Sequence, residues 1–531
     1  MKFLILAILL LFPKPAYGVQ EFSTSFESIY TIKKNGEARV THTISLKNNL
    51  AHIYATEYTL ATSGDNLQNI TAHDDLGPLS AQSNTQNGIT TIHMLIGSPA
   101  IGKDQVKTLT LSYDALGIVE NIGDTYTINI PRLEKANEAE NYKRIIKIEG
   151  VEGLSEYIYP PVSSKIASDG YSVFTWDGHQ NDSLTLLFGD SVTYKLDLTY
   201  ELKNSEIGSA DTELALPSDT SYQHILLASI TPKPKEVRVD NSGNWLARYN
   251  LDSQSKMTVK VLIYATVYPV PKLSDPSSTN FMSSRKSKFW QTNSSVVSDL
   301  GAKLKTPANI YHYLVDNFTY NYGGLNSNLG RLGAVAALTS PSLVLCTEFT
   351  DAFVALSRSQ NIPSREINGY GYTKNSNLQP QNTTSDILHA WPEYYDTGKK
   401  TWVSIDPTWG NTTGGIDYFD KLDFSHIAFV RHGEEDDYPL PAGAYKSNPE
   451  DKFVSVEVAS DVPPEFVKTE LSGNQITNLG NTAIVNDQVG YLPPFGTFTL
   501  PSSKHFSLYD KIKQICAKLF STFWQPRPAS I

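Results

Sequence analysis

The stretch Ile387-Leu388-His389-Ala390-Trp391-Pro392-Glu393-Tyr394-Tyr395-Asp396-Thr397-Gly398-Lys399-Lys400-Thr401-Trp402-Val403-Ser404-Ile405-Asp406-Pro407-Thr408-Trp409 reads as two strands joined by a turn. Aromatic and β-branched residues dominate both flanks, and Asp396-Thr397-Gly398-Lys399 has the composition of a reversal. The expectation is an antiparallel hairpin over Ile387–Tyr395 and Lys400–Ile405. If it turns on Thr397 and Gly398, His389 stands directly opposite Asp406. Opposed residues on one face have Cβ atoms roughly 5 Å apart, so the imidazole can donate to the carboxylate. Pro392 lacks a ladder donor and marks its strand as an edge or an irregular one.

Upstream, Cys346, Phe349, Phe353 and Leu356 repeat with helical spacing before Asn361 and Pro363 end the pattern, which predicts a helix beginning at Cys346. A thiol attacks as thiolate, and the free N–H groups of a helix's first turn favour that anion. Taken singly, each residue has a plainer explanation. Cys346 fits an inert core thiol, His389 a ring packed between Ile387 and Trp391, and Asp406 a strand end before Pro407. Together, a helix-start cysteine followed by a histidine and an aspartate on paired strands supplies nucleophile, base and orienting carboxylate. A second helix is predicted from Thr306 as N-cap, Pro307 in the first position and Ile310, Leu314 and Phe318 along one face.

The segments Cys346-Thr347-Glu348-Phe349, Ile362-Pro363-Ser364-Arg365, Gly369-Tyr370, His389-Ala390-Trp391 and Asp406-Pro407-Thr408 together resemble the transglutaminase-like superfamily in wording and order. The resemblance runs roughly from Ser277 to Gly433. It implies an α+β papain-like core in which Cys346 attacks an amide carbonyl to form a thioester, His389 shuttles protons and Asp406 holds the imidazole. Water or an amine then resolves the acyl-enzyme, so cysteine peptidase and protein cross-linker both fit, with a protein or peptide as substrate. The sequence departs from the family at Leu345, where a glycine is common, and in having no Trp or Gln between Gln291 and Cys346 to complete an oxyanion site. Asn326 and Asn328 are the candidates for that role. Trp391, Trp409 and Tyr370 are candidates to line the substrate groove. No cofactor and no metal are expected: Asp417, Asp420 and Asp423, like the run Glu434 to Asp437, read as solvated faces rather than a calcium site.

The flanks are of another kind. From Glu21 to Tyr268 short alternating runs such as Ala38 to Leu46 predict β-sandwich material, with a break at Gly117 to Gly123. The expected organisation is a signal peptide at 1–18, a β-sandwich-like domain at 19–118, a second β-rich domain at 119–270, the catalytic domain at 277–440, a small C-terminal β module at 450–500 and an amphipathic helix at 505–525. Pro269 to Lys288 reads as a linker. The apolar run Phe3 to Phe12, with Ala16 and Gly18 beyond it, suits an exported protein, and only Cys346 and Cys516 are present, so no disulfide framework holds the fold. A net charge of −11 argues against a nucleic-acid partner. Leu508, Ile512, Ile515, Leu519 and Phe523 share one helical face that suits either a membrane surface or the protein body. The rival reading is a catalytically silent cell-surface binding or scaffolding protein built on the sandwiches.

Overall fold

The computed structural model describes residues 20–500, apart from 64–66, 87–88, 132, 134–137, 179–182, 278–286, 326–329, 375, 377, 382–387, 414–415, 420, 449–450 and 488. The expected signal peptide, the C-terminal helix, Cys516, Asn326, Asn328 and Asp420 lie outside the described residues. The chain is mostly β, in several sheets with few helices. It forms two compact units. The first takes the chain up to Val119, then Ile130–Gly153 and Pro160–Ser183; the second takes Glu120–Asn129, Leu154–Tyr159 and everything from Leu184. The stretch 119–270 is therefore not one continuous domain. Strand pairing explains the interleaving: Asn141–Glu149 runs parallel to Phe22–Ile32 in the first unit, whereas Glu156–Tyr159, Leu184–Phe188, Thr125–Ile130 and Val119–Ile122 form their own four-stranded sheet. Alternation along a strand predicts a buried face but not a partner.

In the first unit an eight-stranded sheet is accompanied by a three-stranded sheet of Glu57–Ser63, Ile89–Leu95 and Ala81–Gln86. Ala38–Asn48 alternates residue by residue, sending Val40, His42, Ile44 and Leu46 into the core.

The second unit contains a two-layer sandwich. Gln223–Thr231, Lys256–Val267, Val192–Lys203 and Val454–Val458 make one sheet, and Ala210–Leu216, Trp245–Leu251 and Glu236–Val239 the other. Leu196, Tyr200 and Ile263 from the first share one core with Leu214, Trp245 and Tyr249 from the second. Val454–Val458 pairs with Tyr194–Leu198, so the first strand expected in a separate C-terminal module is instead part of the sandwich.

The same unit holds the helices α1 (Ser295–Leu304), α2 (Pro307–Asn317), α3 (Ala334–Thr339), α4 (Cys346–Ser359) and α5 (Pro407–Thr412). They accompany an antiparallel sheet whose strands lie in the order Thr401–Ser404, His389–Asp396, Ser364–Gly371, His426–His432. α2 starts as expected, with Thr306 Oγ1 accepting from Asn309 N and Pro307 in the first turn. α4 packs against the two middle strands of the sheet and buries Phe349, Phe353 and Leu356. Its start is fixed by Glu348, whose carboxylate accepts from Leu345 N at 3.0 Å and Leu332 N at 3.0 Å. That carboxylate satisfies the N-cap N–H of α4 and an N–H from the residues leading into α3.

The hairpin differs from expectation in register. Glu393 pairs with Ser404 and Asp396 with Thr401, leaving 397–400 as a four-residue loop. Asp396 Oδ1 accepts from Gly398 N and Lys399 N, and Lys400 takes a left-handed φ of 53°, so the reversal is centred one residue later than Thr397-Gly398. The second strand ends at Ser404, and Asp406 lies beyond it as the N-cap of α5.

Candidate active site

Three elements converge on one buried point. Cys346 is the first residue of α4. His389 begins the strand His389–Asp396, pairing with Gly369. A Cβ on Gly369 would run into the carbonyl of Ile427 and the ring of Trp391, so only glycine lets the strands close here. Asp406 arrives by a sharp departure from the hairpin: Ile405 N bonds Pro392 O at 3.1 Å, and Pro407 then opens α5. His389 and Asp406 therefore meet without being cross-strand partners.

His389 Nε2 lies 2.8 Å from Asp406 Oδ2, with both side chains fully buried. The other carboxylate oxygen, Oδ1, accepts from Thr408 N at 2.8 Å and Trp409 N at 3.0 Å. Burial opposes charge on His389, but the Asp406 carboxylate and, beyond it, the Cys346 sulfur outweigh burial and raise the imidazole to about 9. Burial likewise opposes the Asp406 charge, yet its two imidazole neighbours hold this carboxyl far below the ordinary carboxylate range. With Nε2 committed to Asp406, His389 Nδ1 is buried without a hydrogen-bond partner. It is the nitrogen left for Cys346.

Trp391 and Trp409 flank the imidazole at ring-centroid distances of 5.8 and 4.9 Å, Trp409 tilted by only 17°. Both indoles are buried in the core and so clamp His389 rather than line an open groove. Tyr370 is not gathered in: it packs on the core of the sandwich.

Sequence reading passed over two residues near the triad and misread a third. Tyr320 is carried beside α4's start by its bridge to Val344 and its ring stack on Phe349. Its hydroxyl is buried without a hydrogen-bond partner, and burial and then Cys346 push its pKa far up, so it remains a proton donor. The second is His426, whose Nε2 lies 3.2 Å from the same Asp406 Oδ2. The third is Asp423, which bonds His426 Nδ1 at 2.8 Å and is buried, contrary to the solvated face expected. Asp436 is buried too, receiving Ser287 Oγ at 3.2 Å. Spacing by three puts carboxylates on one face only in a helix, and neither Asp417 nor Asp423 lies in one. His426 is raised to about 9: burial resists the charge, and Asp423 and Asp406 overcome it.

The ligand atoms of His389, Asp406 and His426 lie within 4.8 Å of one another, as a metal's ligands would. Each is already engaged, with Asp406 Oδ2 receiving an imidazole nitrogen from either side. The three side chains are joined as a hydrogen-bonded chain through Asp406.

Residues 291–407 match the model of the transglutaminase-like superfamily. The chain carries a transglutaminase-like core. Cys346, His389 and Asp406 fall inside the matched span; Asp423 and His426 lie beyond its end. No curated protein matches the chain. Among solved structures, a presumed cysteine protease from Cytophaga hutchinsonii is 16% identical over 51% of this chain and 87% of its own, with a TM-score of 0.31. A presumed protease from Parabacteroides distasonis is 12% identical over 76% of this chain and 72% of its own, with a TM-score of 0.24. An M1 zinc metallopeptidase from Deinococcus radiodurans is 10% identical over 36% and 45%, with a TM-score of 0.24. Likenesses this low leave the transglutaminase-like core to be understood from its own residues.

The raised imidazoles make the stability of this core pH-dependent. A histidine whose pKa is higher folded than unfolded adds stability that is complete below the unfolded value, about 6.5, and lost as pH climbs through the folded one. With His389 and His426 both raised to about 9, each imidazole withdraws about 2–3 kcal/mol between pH 6.5 and 9, and urea unfolding is expected to show stability falling by about 5 kcal/mol over that window. A flat profile over that window would contradict the paired, charged imidazoles.

Proposed function

We propose that the chain is an exported thiol enzyme that opens a protein or peptide amide through a thioester on Cys346. The supporting observation is the placement of His389, tied to Asp406 through Nε2 and offering its unpartnered Nδ1 beside Cys346. In this mechanism the Cys346 proton already rests on His389 Nδ1, and the thiolate attacks the amide carbon. The C–S bond forms and the carbonyl oxygen becomes an oxyanion. The Cys346 N–H, free in the first turn of α4, and the Tyr320 hydroxyl are the donors assigned to it. The C–N bond then breaks as the amine leaves with the proton from His389. Water, or a lysine amine, gives a proton back to His389 and attacks the thioester, releasing the sulfur. Asp406 keeps Nε2 protonated throughout, so that Nδ1 is always the nitrogen that exchanges.

The test is mass spectrometry of protein recovered from outside the cell and treated briefly with iodoacetamide near pH 6. Fast, selective alkylation of Cys346 is expected, on a chain beginning near Val19. Incubation with glutamine-containing peptides and a labelled primary amine then separates transfer, seen as amine incorporation, from hydrolysis, seen as cleavage or deamidation. A Cys346 that alkylates no faster than a free thiol would leave the silent scaffold as the better reading.

A further inference from the structure

Behind the triad the structure continues with a second histidine and a second carboxylate. Asp406 Oδ2 is shared by two imidazoles, His389 Nε2 at 2.8 Å and His426 Nε2 at 3.2 Å. Two nitrogens can both bond one oxygen of an ionised carboxylate, as Asp406 is, only if both bring a proton. On its far side His426 presents Nδ1 to Asp423 Oδ1 at 2.8 Å, and the same oxygen accepts from Ser425 N at 2.8 Å. His426 thus faces a carboxylate with each nitrogen and donates from both. It sits at the start of the edge strand His426–His432, paired with Gly371 and held edge-on by Trp391 at 5.0 Å, with Trp409 at 4.5 Å. Among the described residues, the other titratable groups that feel the chain's charges are Tyr311 and Tyr320 through Asp406, Glu120 and Tyr194 through Asp423, and Tyr418, its ring 6.3 Å from that of His426, through both. All are buried or nearly so.

We propose that His426, braced by Asp423, is a positioning residue for the reaction: it holds Asp406 ionised and turned toward His389, which fixes the nitrogen His389 offers to Cys346. This rests on the thiol-enzyme reading. The order of connection is Asp423, His426, Asp406, His389, Cys346. Asp406 has one oxygen committed to the backbone of α5 and the other to the two rings, so its carboxylate plane cannot rotate without breaking bonds on both sides. Removing His426 frees one side. The carboxylate then bears its charge in a dry site with fewer donors, and its hold on the His389 tautomer weakens.

The test follows the rate of Cys346 alkylation by iodoacetamide between pH 5 and 9 in wild type, His426→Gln, Asp423→Asn and His389→Ala. His426→Gln keeps one amide donor for Asp406 but loses the charge. Asp423→Asn keeps the volume and an acceptor for His426 while removing the charge that sustains it. Both are expected to slow alkylation near pH 6 about tenfold and to displace its pH profile, with near-UV circular dichroism unchanged. Should one of the pair fail to fold, the other carries the test, and restoring histidine in a refolded revertant returns the wild-type profile. Wild-type rates and pH dependence in folded His426→Gln and Asp423→Asn, alongside a slowed His389→Ala, would overturn the positioning role alone. If His389→Ala is also unchanged, the triad itself falls.

Discussion

His389→Ala is expected to cut the rate of Cys346 alkylation near pH 6 by about two orders of magnitude and amide turnover by more. An ordinary thiol, with a pKa of about 8.5, is only about 0.3% thiolate at pH 6. A cysteine beside an imidazolium escapes that limit, and His389, raised to about 9, is an imidazolium at this pH. Turnover falls further because the leaving amine also loses its proton donor, a role generally worth about 10²–10⁴ in rate. Asp406→Asn separates geometry from charge. The asparagine oxygen can still cap α5 through Thr408 N and Trp409 N, but the negative charge that raises both histidines is gone. Its alkylation rate should therefore fall between wild type and His389→Ala at pH 6. Circular dichroism of each variant guards against simple unfolding. Equal alkylation rates in all three proteins would remove the basis for a catalytic triad.

How much of this was legible in the sequence differs by residue. Cys346 at a helix start was readable because periodicity and the Asn361-Pro363 stop mark both ends of α4. The His389–Asp406 contact was anticipated for a reason that is only half right. The hairpin exists, but its loop is longer, and the contact arises because Pro407 ends the strand and starts a helix that Asp406 caps. Side-chain reach across a departing strand was mistaken for cross-strand opposition. His426 and Asp423 could not be found this way: Asp423 carries no local signal distinguishing it from Asp417, which is half-exposed and pairs with Lys421. Only the burial of the loop before His426–His432 converts one acidic residue into an internal ligand of a histidine. The two β-rich regions were legible as strands but not as sheets, since Asn141–Glu149 and Val454–Val458 find partners more than a hundred residues away.

Arg365, from the Ile-Pro-Ser-Arg motif, is the residue on which the largest loss of stability is expected. It lies fully buried with its guanidinium 3.9 Å from the Trp402 ring centre. Nε reaches Glu393 Oε2 at 2.7 Å, Nη2 reaches Asp275 Oδ2 at 2.8 Å and Nη1 reaches Ser277 Oγ at 2.6 Å. Asp275 belongs to the stretch that reads as a linker; its side chain is buried and also receives Arg431 Nη1 at 3.2 Å. Burial works against its charge, but the two guanidinium groups prevail and bring the carboxyl down to about 2. Arg365→Met would strand the Glu393 carboxylate inside the protein and take away one of Asp275's two guanidinium partners, and breaking a buried pair in this way costs about 3–5 kcal/mol. Arg365→Lys is no conservative exchange, because a single ammonium cannot serve three directions at once. Urea titration should show Lys intermediate and Met lowest. A second readout distinguishes lost charge from lost packing. A carboxyl with a depressed pKa adds stability that is present above its unfolded value, about 3.9, and lost as pH falls through the folded one. In Arg365→Met the folded pKa of Asp275 moves up, so part of that acid-sensitive stability should already be missing at pH 5. Should Arg365→Met instead lose less than about 1 kcal/mol, with an acid limb like that of wild type, the guanidinium would be no more than a packed side chain.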